Sequence, residues 1–115
     1  AMRSKPTAQT NEYLKGMDMA IIEVCIFPIG EGTSVSEYVA GCEQVLANRG
    51  MKFRLNPMGT TIEGDADEIF AAIREMQESV FARGAKRVYS VIKCDDRRDK
   101  QHSMEYKIKS VTDKL

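Results

Sequence analysis

Along this chain the hydrophobic positions alternate between runs of period two and runs of period 3.6, and the changes of period mark out elements. Residues 19–28 (MAIIEVCIFP) are almost wholly apolar and rich in β-branched side chains. That predicts a central strand buried on both faces, with Ile21, Cys25 and Phe27 on one side, Ala20, Ile22, Val24 and Ile26 on the other, and Pro28 at its end. Residues 34–49 shift to helical spacing, with Val35, Tyr38, Val39, Cys42, Val45 and Leu46 on one stripe. Ser34 with Glu37 has the form of a capping box, and Gly50 suits a left-handed C-cap. Residues 52–56 (KFRLN) alternate again, placing Phe53 and Leu55 on one face of a half-exposed strand. Asn56, Pro57, Met58, Gly59 and Thr60 then form a hairpin or bulge, and residues 60–63 resume as a third strand. Asp65 is the N-cap of a second helix and Glu68 completes its box. The stripe of that helix is Ile69, Phe70, Ile73, Met76, Val80 and Phe81, and Gly84 ends it. Residues 86–94 read as a fourth strand. Residues 104–115 read as a third helix with Met104, Ile108, Val111 and Leu115 on one side.

The resulting order, βαββαβ followed by α, is the ferredoxin-like arrangement of an α+β sandwich: a four-stranded antiparallel sheet with two helices on one face, plus a C-terminal helix. The first strand is apolar on both sides, so the face without the two helices also calls for cover. Sheet-to-sheet association of subunits supplies it, and a homo-oligomer is expected. Residues 1–16 are polar and without sustained periodicity. They are expected to be an N-terminal extension or an expression remnant, leaving residues 17–115 as a single domain.

Composition narrows the function. At 115 residues the chain is near the modal domain size. The 17 basic and 17 acidic residues cancel, which removes the positive field that nucleic-acid or anionic-membrane binding needs. No apolar run approaches a membrane span, and the N-terminal segment has no apolar core of a secretory signal. Cys25, Cys42 and Cys94 form neither a CxxC pair nor a metal-ligand spacing, so reduced, buried thiols in a cytoplasmic protein are expected. His102 is the sole histidine and has no Cys or His nearby. Phosphate-loop, nucleophile-elbow and HExxH motifs are missing, so neither a metal, a required cofactor nor a catalytic residue is expected.

Three segments could carry chemistry. The run of residues 93–100 (KCDDRRDK) mixes three acids with four bases where the fourth strand should hand over to a loop. Mixed signs favour short ion pairs, which brace a loop or hold a small polar ligand. In residues 28–36, Gly30 and Gly32 let the backbone approach a ligand, and hydroxyls cluster at the helix start that leads to Tyr38. The 56–60 hairpin presents Met58, a polarisable side chain that packs well on flat rings. Glu23, Glu63 and Asp95 could meet across the sheet, but no nucleophile has a base in an obvious register.

Taken together, PIGEGTSVSEYV (28–39), NPMGTTIEGD (56–65) and GAKRVYSVIKCDDRRDK (84–100) resemble three signature blocks of the thiamine-binding protein family, uncharacterised protein family 0045. The resemblance runs from residue 19 to residue 115. Cys94 departs from a common aliphatic residue and Ser90 from a frequent Thr. The resemblance implies a ferredoxin-like fold, dimers that pair into tetramers through their sheets, a pocket at a subunit interface, and binding of thiamine or its hydroxymethylpyrimidine half without turnover. On that reading Met58 and Tyr38 sandwich the ring, and Ser34 and Thr60 bond its edge. Gly30 and Gly59 give the backbone close access, and Asp95 or Glu23 offsets the thiazolium charge. Arg97 and Arg98 either bind a phosphate or pair with Asp95, Asp96 and Asp99 as braces, and bracing is favoured. The alternatives are an enzyme of small-molecule or thiamine salvage, and a purely structural or regulatory oligomeric subunit.

Overall fold

The computed structural model describes residues 19–100 and 102–115. The expected extension at residues 1–16 lies outside the described residues. The elements are β1 (Met19–Pro28), α1 (Ser36–Asn48), β2 (Lys52–Asn56), β3 (Gly59–Asp65), α2 (Ala66–Ala82), β4 (Val88–Asp96) and α3 (Met104–Thr112). The strands form one antiparallel sheet in the order β2-β3-β1-β4, which is the ferredoxin-like topology expected from the hydrophobic pattern.

Register assigns each side chain to a face. Ala20, Ile22, Val24 and Ile26 of β1 face α1 and α2 and join Ile62, Cys42, Leu46, Ile69, Ala72, Ile73, Met76 and Val80 in one core. Full burial of a side chain such as Leu46, Ile62 or Ile69 stabilises the fold by roughly 1.5–3 kcal/mol, so this layer holds the two helices on the sheet. Ile21, Glu23, Cys25 and Phe27 occupy the opposite face.

Several expectations are corrected. The first helix begins at Ser36 with Val35 as N-cap and no side-chain cap bond, so Ser34 and Glu37 do not form a capping box. Glu37 still lies in the first turn, where its charge complements the helix dipole. In α2, Asp65 caps the helix through the Glu68 amide at 3.1 Å. Phe70 and Phe81, however, are exposed, because the buried stripe of Ile69, Ala72, Ile73, Met76 and Val80 leaves each of them one position off its axis. β4 starts and ends two residues later than the pattern suggested. Ala20 and Ile21 offer Asp96 and Asp95 ladder partners, and an edge strand tolerates exposed charge. Cys94, expected to be buried, is exposed there.

The second face of the sheet is not wholly bare. His102 bonds the Met19 carbonyl at 3.1 Å, and the Met104 side chain is buried at the start of α3. The Met104 amide donates to Glu63 Oε1 at 2.7 Å. Lys52 spans Glu63 and Glu105 at 3.0 and 2.8 Å, tying α3 to the β2–β3 side. Past Met104 the expected stripe fails: Ile108, Val111 and Leu115 are exposed. α3 is therefore held by its first turn and its ion pairs.

Candidate functional site

A cavity of about 220 Å³ opens on the helix-covered side of the sheet, between the start of α1 and the β2–β3 hairpin. Its elements bring apolar groups together for simple reasons of period. Val24 and Ile26 point the same way from β1, one face of α1 supplies Val35, Val39 and Cys42, and α2 supplies Met76. Asn56, Pro57, Met58 and Gly59 make a tight turn between β2 and β3, and the turn sets Leu55 and Met58 at the mouth. Both side chains are largely exposed, at 60% and 86%.

Besides Asn56 in the turn, which bonds the Thr61 hydroxyl at 2.9 Å, polarity enters this apolar space at Thr60 and Glu43. Thr60 is buried on β3, and its hydroxyl donates to Oε1 of Glu43 on α1. Oε2 of Glu43 is also buried and has no hydrogen-bond partner among the described residues. Beside it, the Cys42 thiol is pushed up from its ordinary range by burial, against a smaller opposing effect of the Ser79 hydroxyl. The Cys42 sulfur lies 3.6 Å from the Met76 carbonyl.

The residues singled out from the sequence divide between the two faces. Met58, Gly59 and Thr60 come together at this cavity. Tyr38 is half-buried against the core next to it and does not line it. Gly30 adopts φ +89° in the loop before α1, a left-handed conformation that favours glycine, and Ser34 is exposed in the same loop. Glu23 and Asp95 lie on the other face. Glu23 pairs with Lys93 at 3.4 Å, and Asp95 pairs with Lys107 of α3. Glu63, the third carboxylate expected across the sheet, is taken up by Lys52 and the Met104 amide. Glu43 escaped the sequence reading. The signal was an acid four residues after Val39 and three before Leu46, next to the apolar stripe of its helix.

The charged run divides into strand and brace. Residues 93–96 continue β4, and the loop begins at Arg97. Arg97 grips both oxygens of Asp99 at 2.6 and 2.9 Å, and Arg98 reaches both oxygens of Asp96 at 3.4 and 2.9 Å. The Lys107 hydrogen bond holds the Asp95 carboxyl below its usual range. The bidentate pairs and the tie to α3 fit the bracing role.

Fold and cavity thus define a ferredoxin-like domain with a mostly apolar, single-ring-sized recess and, at its wall, a half-buried acid whose Oε2 is shielded from water. The chain matches the family model for thiamine-binding protein over residues 22–112, and it belongs to that family. It is 45% identical over 102 residues to the UPF0045 protein YqgV of Bacillus subtilis, covering 84% of this chain and 98% of that one. It is 44% identical over 98 residues to the UPF0045 protein sll0230 of Synechocystis, covering 85% and 80%. The solved structure of the hypothetical protein MJ1052 of Methanocaldococcus jannaschii superposes with a TM-score of 0.77 at 40% identity, covering 84% of this chain and 98% of that one.

Proposed function

We propose that this protein binds thiamine or its hydroxymethylpyrimidine half without chemical turnover, as a cytoplasmic carrier or sensor. The observation that carries this reading is the recess under the β2–β3 hairpin, in a chain that belongs to the thiamine-binding protein family. A dry apolar cavity of about 150 Å³ accommodates benzene. Some 220 Å³ therefore suits one substituted ring and falls short of the roughly 300 Å³ at which pockets for larger ligands begin. The pyrimidine ring is the half that fits. The thiazolium would remain at the mouth, next to Met58 and Leu55.

Binding without catalysis is supported by the engagement of the candidate acids and bases. Glu23, Glu63 and Asp95 each sit in an ion pair, and the His102 ring contacts the Met19 carbonyl. Neither a metal nor a required cofactor enters this reading. A cytoplasmic location agrees with three free thiols, and no helix among the described residues is long and apolar enough to cross a membrane. The reading includes self-association through the sheet face that carries Cys25, Phe27, Tyr89 and Val91, as a homodimer or a dimer of dimers. The Phe27 and Tyr89 rings meet there at a tilt of 35° with centroids 5.4 Å apart, and Tyr89 and Val91 are about half exposed.

Calorimetric titration of ligand-stripped protein with thiamine and with hydroxymethylpyrimidine tests the proposal. Saturable heat with both ligands is expected. Silence in calorimetry and in thermal shift at millimolar ligand overturns it.

A further inference from the structure

Glu43 is an unusual residue to find where it is. The recess that it lines is otherwise mostly apolar, with Val24, Ile26, Val39, Cys42 and Met76 among its walls and Thr60 and Asn56 as the other polar side chains. A buried polar oxygen without a partner is costly, and folded proteins rarely retain one without a use. Thr60 occupies Oε1 and fixes the carboxyl on one side, which leaves Oε2 as an acceptor with nothing to accept. A hydroxyl-anchored carboxyl at the wall of a ring-sized apolar recess has the parts needed to recognise a flat heterocycle by one polar edge: apolar walls for its faces and a single acceptor for its rim.

We propose that Glu43 makes this recess selective for aminopyrimidines, with Oε2 accepting a hydrogen bond from the exocyclic amine of the ring. This deepens the binding reading above and rests on it. The chemistry discriminates by sign. An amino substituent brings an N–H donor to Oε2 and satisfies it. A ring carrying a carbonyl at the same position brings a lone pair against Oε2, so both acceptors are left unpaired in a dry site. Sites built on a buried polar partner reject the mismatched analogue far more strongly than apolar pockets reject a change of size. Thr60 is a positioning residue here, since it holds the carboxyl through Oε1 and leaves Oε2 for the ligand.

The test compares thiamine with its analogue in which the pyrimidine 4-amino group is replaced by a carbonyl, by calorimetry on the full chain. The wild-type protein is expected to prefer the amine by at least about tenfold, and Glu43→Leu to weaken thiamine binding by about ten- to a hundredfold while abolishing the preference. The same substitution removes the unpartnered Oε2 but also deprives the buried Thr60 hydroxyl of its acceptor, so the fold of the variant is checked by thermal denaturation before its affinity is read. Equal affinity of wild type for the two ligands overturns the proposal, as does a preference that survives in Glu43→Leu. Should that variant not fold, the wild-type ratio decides alone, and Thr60→Val, expected to narrow the ratio, supplies a second reading. Absence of binding to either ligand overturns the occupancy of the recess itself. Binding without discrimination spares that reading and removes only the role of Glu43.

Discussion

Arg97 and Asp99 show what a two-residue spacing can do at the surface. The planar guanidinium meets both carboxylate oxygens, and this hydrogen bonding lowers Asp99 from its ordinary 3.8 to about 2. Because the folded value lies below the unfolded one, the pair stabilises the loop fully above about pH 4. That contribution is lost as pH falls through about 2. An NMR titration of the Asp99 carboxyl should give a midpoint near 2 at low salt, and Arg97→Gln should return it towards 3.8. Both groups are exposed, so molar salt, with a Debye length of about 3 Å, should reduce the shift. An unshifted wild-type midpoint would mean that the brace is not populated in solution. The mixed signs of this run were legible from sequence. The partner of each charge was not, because pairing depends on where β4 ends, and β4 runs two residues further than its apolar pattern.

At the scale of elements, α3 depends on Glu63. The carboxylate receives the Met104 amide at the start of the helix and pairs with Lys52 on β2, while the outer side chains of the helix stay in water. Glu63→Ala leaves a buried N–H without an acceptor and should cost about 1–3 kcal/mol in chemical denaturation. Amide exchange in α3 should accelerate well beyond that in α2, whose core stripe is untouched. Equal exchange in the two helices would show that packing, and not this bond, holds α3. A second element carries a reserve of stability. Gly41 lies inside α1, where a Cβ would come within 2.9 Å of the Arg83 side chain, an exposed and flexible group. Gly41→Ala should move that arginine aside and raise stability by about 0.5–1 kcal/mol, read as a higher denaturation midpoint at constant slope. Element order was legible because the apolar run of residues 19–28 and the period of 3.6 in residues 66–82 stand out, whereas the face of β1 that meets the helices was not, since both of its faces are apolar. The start of α1 was misread because Ser34 has the right chemistry for a cap but stays in the loop. The failure of the Ile108, Val111 and Leu115 stripe has a similar cause. A helix docked through polar bonds at one end does not need its apolar side buried.

For the whole molecule, the sheet puts two different surfaces back to back. Beneath the hairpin, on the helix side, is the recess with Glu43. On the other side lie Tyr89 and Val91 with their ladder partners Phe27 and Cys25, which also border the recess, flanked by the Lys93–Glu23 pair. The site was only half legible from sequence for this reason. Met58 and Thr60 reach the recess from a hairpin that composition marked, whereas Glu23 and Asp95 were grouped with them by charge although strand alternation sends them to the opposite face. The separation allows assembly and ligand binding to be disconnected. Val91 is about half exposed and pairs across the ladder with Cys25, at the centre of the open face, with no side chain in the recess. Val91→Lys should be tolerated by the isolated fold, since a lysine there extends into water. In a sheet-to-sheet assembly the same ammonium would meet its counterpart or an apolar surface without a partner, and burying it costs far more than the contact gives. Light scattering should therefore report a smaller species for Val91→Lys than for wild type, with the thermal midpoint lowered only by the loss of association. Thiamine titration of the dissociated variant then separates two arrangements. Retained affinity means that the recess of one chain suffices. Lost affinity with intact fold means that the neighbouring subunit completes the mouth beside Met58 and Leu55. An unchanged mass would show that this face is not where the chains meet.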